Sequence, residues 1–401
     1  MALSALFCSF GLEQWAQSKH LFFSEYSSLT NFATALVVGF AICVQIVRFG
    51  GLQTITKYPV VGWLIGCLLL FTAISSTWSL YDEARKGIIS SVPYFLAYTV
   101  LCPLVVNRPR DLYDGLLATL ILGSGIALLL LFTSEWGYRS IIIHSYGFRG
   151  AQSGNPLAIG TMGGYVFIIA VMLHFSRSSR FWKVLRWGFA LLGMALCVMS
   201  QSRGQVFGSA IGAMVALPMN RGARGIKGLG VLLIALLLVG TIMVWTMFEF
   251  ADPERWSPTS MEEDLRGGRV YKTLIVLERW WETPSAWVTG LGSSASFSSE
   301  LIGFYPHNVP GEILAEEGMV GFTIYASILL LTLRSIYRLY HRLKHFNDAR
   351  GMLAAITGIL ALQFINSCKQ GSLLGSSEFF GLVIIIGQLE RSVASQDVQV
   401  A

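Results

Sequence analysis

One histidine stands where proton chemistry is useful. His307 lies in Tyr305-Pro306-His307-Asn308, ahead of Glu312 and Glu316. An imidazole titrates near neutral pH and can take a proton from a hydroxyl. Glu312 and Glu316 are four apart, so they share one face of a helix. Either can orient the imidazole or bind sugar hydroxyls. The alternative is an interfacial histidine stacked among Phe304 and Tyr305. Three further segments offer anion chemistry. In Gln201-Ser202-Arg203-Gly204 an arginine sits between two apolar runs. A charge so near hydrocarbon should face a polar cavity and a partner, unless it belongs to a short turn and reaches the headgroups. In Gly267-Gly268-Arg269, with Lys272 one turn on, the glycine pair interrupts a helix beside a guanidinium. Guanidinium binds phosphate through two parallel donors and does not deprotonate. The plainer reading there is a solvated polar face. The third segment is Tyr146-Gly147-Phe148-Arg149-Gly150-Ala151-Gln152-Ser153-Gly154-Asn155-Pro156. Its small residues let backbone N–H groups approach an anion, although an ordinary glycine-rich loop reads the same way.

Apolar helices must position these groups. Hydrophobic residues make up 54% of the 401-residue chain and charged residues 13%, about half the charge of an ordinary soluble domain. The apolar runs recur along the whole length, which excludes a soluble enzyme on one anchor. The spans read as 29–47, 59–77, 88–106, 112–133, 156–175, 187–201, 203–217, 229–247, 311–333, 352–367 and 373–389. Residues 1–12 are apolar but too short to cross alone. The expectation is an all-α integral membrane protein with about 11–12 transmembrane helices, forming one polytopic domain over 1–401. One large loop, 248–310, is inserted between spans. It carries an amphipathic surface helix with a capping box at Ser260 and Glu263 and an apolar stripe of Val270, Leu274, Leu277 and Trp281.

Charge sets the orientation. The net charge is +6, but the basic residues lie in short loops between apolar runs, without a compact basic patch, so nucleic acid is not an expected partner. Lys and Arg concentrate in alternate loops, around 48–57, 108–110, 177–186, 221–227 and 334–350, while the other loops hold most of the carboxylates. The positive-inside bias places the basic set and the C-terminus in the cytoplasm. His307 and the arginine segments then face the opposite side. No metal-ligand spacing occurs, and no phosphate-binding G-x-x-x-x-G-K-[ST] loop occurs, so neither metal nor nucleotide cofactor is expected. The cysteines show no paired spacing, and no disulfide or cleaved leader is expected.

The ordered motifs carry a resemblance. Trp78-Ser79 is followed by Asp82 and Glu83. Ser202-Arg203-Gly204 sits at a helix junction. Gly268-Arg269 precedes Gly290-Leu291-Gly292. Pro306-His307-Asn308 is followed by Glu312, Glu316, Gly318 and Gly321. In this order the chain resembles the bacterial O-antigen ligase / O-antigen polymerase family over roughly residues 60–330. It departs after His307-Asn308, where Val309-Pro310-Gly311 replaces bulky apolar residues common in that family. The resemblance implies a fold similar to the GT-C-like transferases that use lipid-linked sugars. It also implies a multi-pass enzyme of the bacterial inner membrane with its active site facing the periplasm. The donor is a glycan on undecaprenyl diphosphate, and the acceptor is a glycan hydroxyl or the lipid A core. In this reading His307 is the general base, and Arg203 and Arg269 hold and stabilise the diphosphate. Arg149, Lys272, Asn308, Glu312 and Glu316 bind substrate. The function expected first is a polysaccharide polymerase, the second an O-antigen ligase. A lipid or polysaccharide transporter is the reading from another class. Membrane lipids are expected partners, and a chain-length regulator stays open as one.

Overall fold

The computed structural model describes residues 2–19, 33, 36–41, 43–44, 47, 58–106, 108–137, 140–143, 152–174, 180–221 and 268–400. In chain order the helices are α1 (Ala2–Lys19), α2 (Val60–Ser75) and α3 (Ala84–Phe95), a π-helical stretch (Leu96–Leu101), then α4 (Cys102–Val105) and α5 (Pro109–Thr133). After the strands β1 (Ile142–Ile143) and β2 (Gln152–Ser153) come α6 (Pro156–Met172), α7 (Arg180–Met199) and α8 (Arg203–Arg221). The rest is α9 (Arg269–Glu282), α10 (Ala286–Thr289), a 3₁₀ turn (Ala295–Phe297), α11 (Val309–Glu316), α12 (Gly318–Leu343), α13 (Asn347–Lys369) and α14 (Ser377–Val400). The two strands pair antiparallel, Ile142 with Ser153 and Ile143 with Gln152.

The protein is an all-α membrane protein. Among the described residues α5, α12 and α13 are long and apolar enough to cross a bilayer, at 25, 26 and 23 residues. At about 1.5 Å per residue each exceeds the roughly 30 Å hydrocarbon core. Helices α2, α6 and the apolar part of α7 are shorter. The expected span 229–247 and the Ser260–Glu263 capping box lie outside the described residues, and the span 29–47 is described only in part, with helix at 33, 36–41, 43–44 and 47.

Several boundaries differ from the sequence reading. The apolar residues 2–12 belong to a helix that runs on to Lys19, along which Gln17 bonds both Glu13 and Gln14. The expected span 88–106 is not one helix. Pro93 lies inside α3 and lacks the N–H that would bond to the preceding turn, and the chain then widens into π geometry. The expected span 311–333 is two helices. Gly318 has φ 64°, a left-handed conformation that ends a helix. The spanning helix therefore begins at Gly318, and Glu312, Glu316 and Glu317 precede it.

The described residues form two compact units. The first comprises residues 1–51, 108–256 and 340–362, and the second 52–107, 257–339 and 363–401. In the first, a core of Cys8, Ile126, Leu130, Ile141, Ile159, Met162 and Leu196 joins α1, α5, α6 and α7. Helices α6 and α7 cross at backbone contact: a Cβ on Gly163 would lie 2.6 Å from the Gly193 carbonyl, and one on Gly193 2.6 Å from the Gly163 carbonyl. Small residues at such crossings let membrane helices pack closely. In the second unit, α14 packs on the π stretch, where a Cβ on Gly381 would lie 2.6 Å from the Tyr98 carbonyl. Ser335 and Arg338 of α12 both bond the Glu390 carboxylate of α14, at 2.6 and 3.1 Å.

Candidate functional site

The histidine segment belongs to the second unit. Its local shape follows from Asn308. The Asn308 side-chain oxygen accepts the Gly311 N–H at 2.8 Å and caps α11, while its amide nitrogen donates to the Cys368 carbonyl at 3.0 Å. Pro310 falls in the first turn of α11, where a missing N–H costs nothing. With the cap fixed, His307 is driven to φ 63°. A non-glycine residue held there costs about 1–3 kcal/mol, and such strain gathers at functional sites.

Helix α9 braces this turn. The Thr273 hydroxyl donates to the Pro306 carbonyl at 3.0 Å. Lys272 places its ammonium 4.1 Å from the Phe304 ring centroid, a cation–π contact. His307 itself is half-buried. Its ring meets Tyr305 edge-on at 4.2 Å and Phe304 at 5.9 Å. The aromatic contacts continue from Tyr305 to Phe297 at 6.2 Å and from Phe297 to Tyr81 at 5.6 Å. Arg269 is the first residue of α9, one turn before Thr273 and so on the same side of that helix. The stripe Val270, Leu274 and Trp281 is 53–65% exposed; the face of α9 turned inward carries Val276 instead.

The three glutamates of 312–317 are all buried, and each reaches a different segment. Both Glu312 oxygens accept the Leu373 N–H at 3.1 Å, fixing the turn between α13 and α14. Glu316 accepts the N–H groups of Ser294 at 2.6 Å and Ser296 at 3.0 Å. Glu317 is fully buried beside Thr72 and Ser75. Those two hydroxyls donate to the Leu68 and Thr72 carbonyls, and they are also the polar groups that face the Glu317 carboxyl. Burial raises all three carboxyls. For Glu316 the serine amides pull the other way, and Glu317 is pushed up to about 8. For Glu317 burial is the larger cause, and the Ser75 and Thr72 hydroxyls oppose it.

A backbone crossing locks α11 to the loop before it. The Leu291 and Gly292 N–H groups donate to the Ala315 and Glu316 carbonyls, both at 2.9 Å. A Cβ on Gly290 would sit 2.0 Å from the Glu316 carbonyl oxygen, and one on Gly318 2.5 Å from the Gly290 nitrogen. The Ser293 N–H then reaches the Ser75 hydroxyl at 3.1 Å. The sequence reading singled out Gly290-Leu291-Gly292 and Trp78-Ser79 as motif elements without a structural role. They frame the glutamate cluster: a Cβ on Gly292 would lie 2.4 Å from the Ser79 Cα.

Arg203 belongs to the first unit. It is the first residue of α8 and half-buried. The Ser202 carbonyl receives the Gln205 and Val206 N–H groups at 3.0 and 3.2 Å, and Gln201 before it has φ 53°. Gln205 is fully buried, and neither atom of its side-chain amide has a hydrogen-bond partner. Sequence reasoning missed Gln205 and Glu317, since nothing in a local pattern reveals a buried polar group.

Arg203 and Arg269 both open helices, where exposed N–H groups and the helix dipole already favour an anion. Within the second unit the fold gathers His307, Asn308, Lys272, Glu312, Glu316 and the start of α9. Arg149 lies outside the described residues.

Comparison with known proteins adds little beyond this. No family model matches the chain, and no curated protein matches it. Among solved structures, a chain described under "structural coordination of polymerization and crosslinking by a peptidoglycan synthase complex" is similar over 82% of this chain and 97% of that one. Its TM-score is 0.48 and its sequence identity 14%. At that level the likeness fixes neither family nor activity. The resemblance to the O-antigen ligase and polymerase family rests on its motifs.

Proposed function

We propose that this protein is a metal-independent glycosyltransferase of the bacterial inner membrane. It moves a glycan from undecaprenyl diphosphate to a sugar hydroxyl on the periplasmic side, as a polysaccharide polymerase. The acceptor oxygen attacks carbon 1 of the donor sugar, and the bond from that carbon to the diphosphate oxygen breaks. The acceptor's proton passes to the His307 imidazole. The electron pair stays on the departing diphosphate, whose charge Arg203 and Arg269 stabilise. Preorganised positive groups aimed at developing charge are commonly the largest catalytic term. Glu312, Glu316 and Asn308 position the turn that carries His307, and Lys272 and Arg149 contact the substrate.

The observation that carries the reading is where backbone strain falls. The described non-glycine residues with positive φ are Gln201, Ser294 and His307. The first adjoins Ser202-Arg203, the second donates its N–H to Glu316, and the third is the histidine. Two of the three stand in the motifs, and residues held in sparsely populated backbone conformations cluster at functional sites.

The test is turnover by purified protein in vesicles, supplied with carrier-linked glycan and no ion gradient. His307→Ala should lower transfer roughly 10²–10⁴-fold, the usual worth of a general base, with insertion and folding unchanged. Arg203→Ala and Arg269→Ala should cost more than the Lys substitutions, which keep charge but lose the paired donors. Wild-type activity in His307→Ala removes the base assignment. Transport without turnover favours the transporter reading. In cells, loss of a polymerase leaves lipopolysaccharide core capped with one repeat, whereas loss of a ligase leaves bare core.

A further inference from the structure

Helix α9 has three sides. At about 100° per residue, Thr273, Val276 and Trp280 share the side that packs inward. Val276 is buried, Trp280 packs on a core of Ala286, Leu291 and Ala295, and the Thr273 hydroxyl holds the Pro306 carbonyl. The next side round carries Val270, Leu274, Leu277 and Trp281. Glu278 and Glu282 follow, both exposed, and Arg279 stands beyond them. An apolar stripe, roughly 16 Å long at about 1.5 Å per residue, thus lies between the side that meets the protein and an acidic edge. A helix resting on a protein in water needs only an inner side and a polar one. A third side, apolar and more than half exposed at Val270, Leu274 and Trp281, has to meet something else.

The stripe does not end with α9. The Trp281 and Trp287 rings stack with centroids 5.2 Å apart and an interplanar angle of 26°. The Trp287 indole N–H donates to the Trp281 carbonyl at 2.9 Å. The apolar surface passes in this way to Trp287 and Val288 of α10, both exposed. There the backbone touches the start of α12: a Cβ on Gly318 would lie 2.5 Å from the Val288 carbonyl oxygen. Met319 and Val320 follow, also exposed. Met319 opens the outer stripe of α12, and Leu330, Leu333 and Tyr337 continue it at helical spacing. These four are 48–67% exposed, and on a helix that crosses a bilayer such a stripe faces acyl chains. The apolar surface of α9 and α10 thus runs into the lipid-facing stripe of α12. Tryptophans gather where headgroups meet hydrocarbon, and Trp281 and Trp287 stand at that end of α12.

We propose that α9 is docked in the bilayer, its stripe of Val270, Leu274, Leu277 and Trp281 sunk among the headgroups of the leaflet that α12 enters at Gly318. Glu278 and Glu282 stay in the water above it, as in other helices that lie along a membrane surface. Continuity with α12 selects lipid over a soluble partner or a second copy, because Val288, Met319 and Val320 belong to the same surface at the level where α12 enters hydrocarbon. The inner side of the docked helix carries Thr273, so its bond to the Pro306 carbonyl ties the histidine turn to the level of that leaflet. The proposal does not rest on the transfer reading.

The test places the photoreactive residue p-benzoylphenylalanine at one position at a time in the full-length protein, held in phosphatidylethanolamine–phosphatidylglycerol nanodiscs, and identifies the products by mass. With the probe in place of Leu274 or Trp281, the main product should be a phospholipid adduct, in a yield close to that of the probe at Leu330 on α12. At Glu278 the yield should be several-fold lower. With the probe at Trp281, Leu274→Asp should lower the adduct roughly tenfold by removing one apolar anchor, and Leu274→Met should leave it unchanged. Leu274→Gln keeps the test open if the aspartate variant fails to insert, which the probe at Leu330 reports. A yield at Leu274 no higher than at Glu278 puts the stripe in water and overturns the docking. A cross-linked dimer as main product assigns the stripe to a second copy and overturns it too, as does a protein adduct in place of lipid when the same probes are used in native membrane vesicles. No turnover enters these readouts, so each of those results leaves the transfer reading standing. Lipid adducts at Leu274 and Trp281 in a protein without transfer activity uphold the docking and count against the transfer reading alone.

Discussion

The junctions at Arg203 and His307 share a plan but differ in how folding completes them. Each places a left-handed non-glycine residue, Gln201 or His307, two residues before a helix start. At the histidine junction the polar groups bind across the chain. Asn308 uses both ends of its amide, Thr273 holds the Pro306 carbonyl, and Glu312 holds Leu373. At the arginine junction the Gln201 side-chain oxygen and both amide atoms of Gln205 are buried without a hydrogen-bond partner. An unmet buried group costs about 1–3 kcal/mol. The arginine junction thus keeps side-chain amide capacity that folding leaves unused, while the Asn308 amide, the Thr273 hydroxyl and the Glu312 carboxylate are spent on holding one turn still.

The sharpest way to break this contrast is to attack the frame. Gly318 has φ 64°, and a Cβ there would lie 2.5 Å from both the Gly290 nitrogen and the Val288 carbonyl oxygen. Neither atom can move alone, since both belong to backbone. Gly318→Ala should cost more than about 4 kcal/mol, at the far end of single-substitution effects. The readout is recovery of a monodisperse peak after detergent extraction. A variant that extracts and melts like wild type would mean that the frame is loose and the contrast wrong.

A paired substitution tests both junctions with opposite signs. Gln205→Leu removes an unsatisfied amide and keeps its bulk, so it should stabilise the protein by about 1–3 kcal/mol and slow glycan transfer. Asn308→Leu removes two made hydrogen bonds, one of them the cap of α11, and should destabilise by a similar amount. Thermal melting in detergent separates them. Equal destabilisation by both would show that Gln205 is satisfied after all and that the junctions are alike.

Much of this was legible in the sequence, and the failures share a cause. Helix existence followed from apolar runs, because a bilayer leaves the backbone few alternatives. The breaks were harder. Gly318 sits inside the apolar run 311–333, and only its contact with Val288 and Gly290, nearly thirty positions away, explains a left-handed residue there. Glu312 and Glu316 were placed on one helical face by their spacing. Their partners, Leu373, Ser294 and Ser296, are set by tertiary folding, and they turn both carboxylates toward backbone amides. Pro93 was visible as a residue, but the π widening after it depends on packing against Gly381. Local pattern reads periodicity and punctuation; it does not read which distant backbone will close a turn.

The smallest predicted effect is also the most specific to the histidine junction. Thr273 donates one hydrogen bond, 3.0 Å, to the carbonyl of the residue before His307. Its methyl group packs where a Cβ on Gly311 would come within 2.7 Å. Thr273→Val keeps the methyl contact and removes the donor, so the fold should lose only about 1 kcal/mol. If the frame exists to hold the imidazole, that loss should appear in chemistry rather than in binding: a several-fold fall in kcat with KM for the donor nearly unchanged. Thr273→Ser, which restores the hydroxyl but drops the methyl, should recover most of kcat. A fall confined to KM, or no rescue by serine, would mean that Thr273 merely packs α9 against the turn. The rigidity of the histidine junction would then be a matter of stability, and the difference between the two junctions would carry no catalytic meaning.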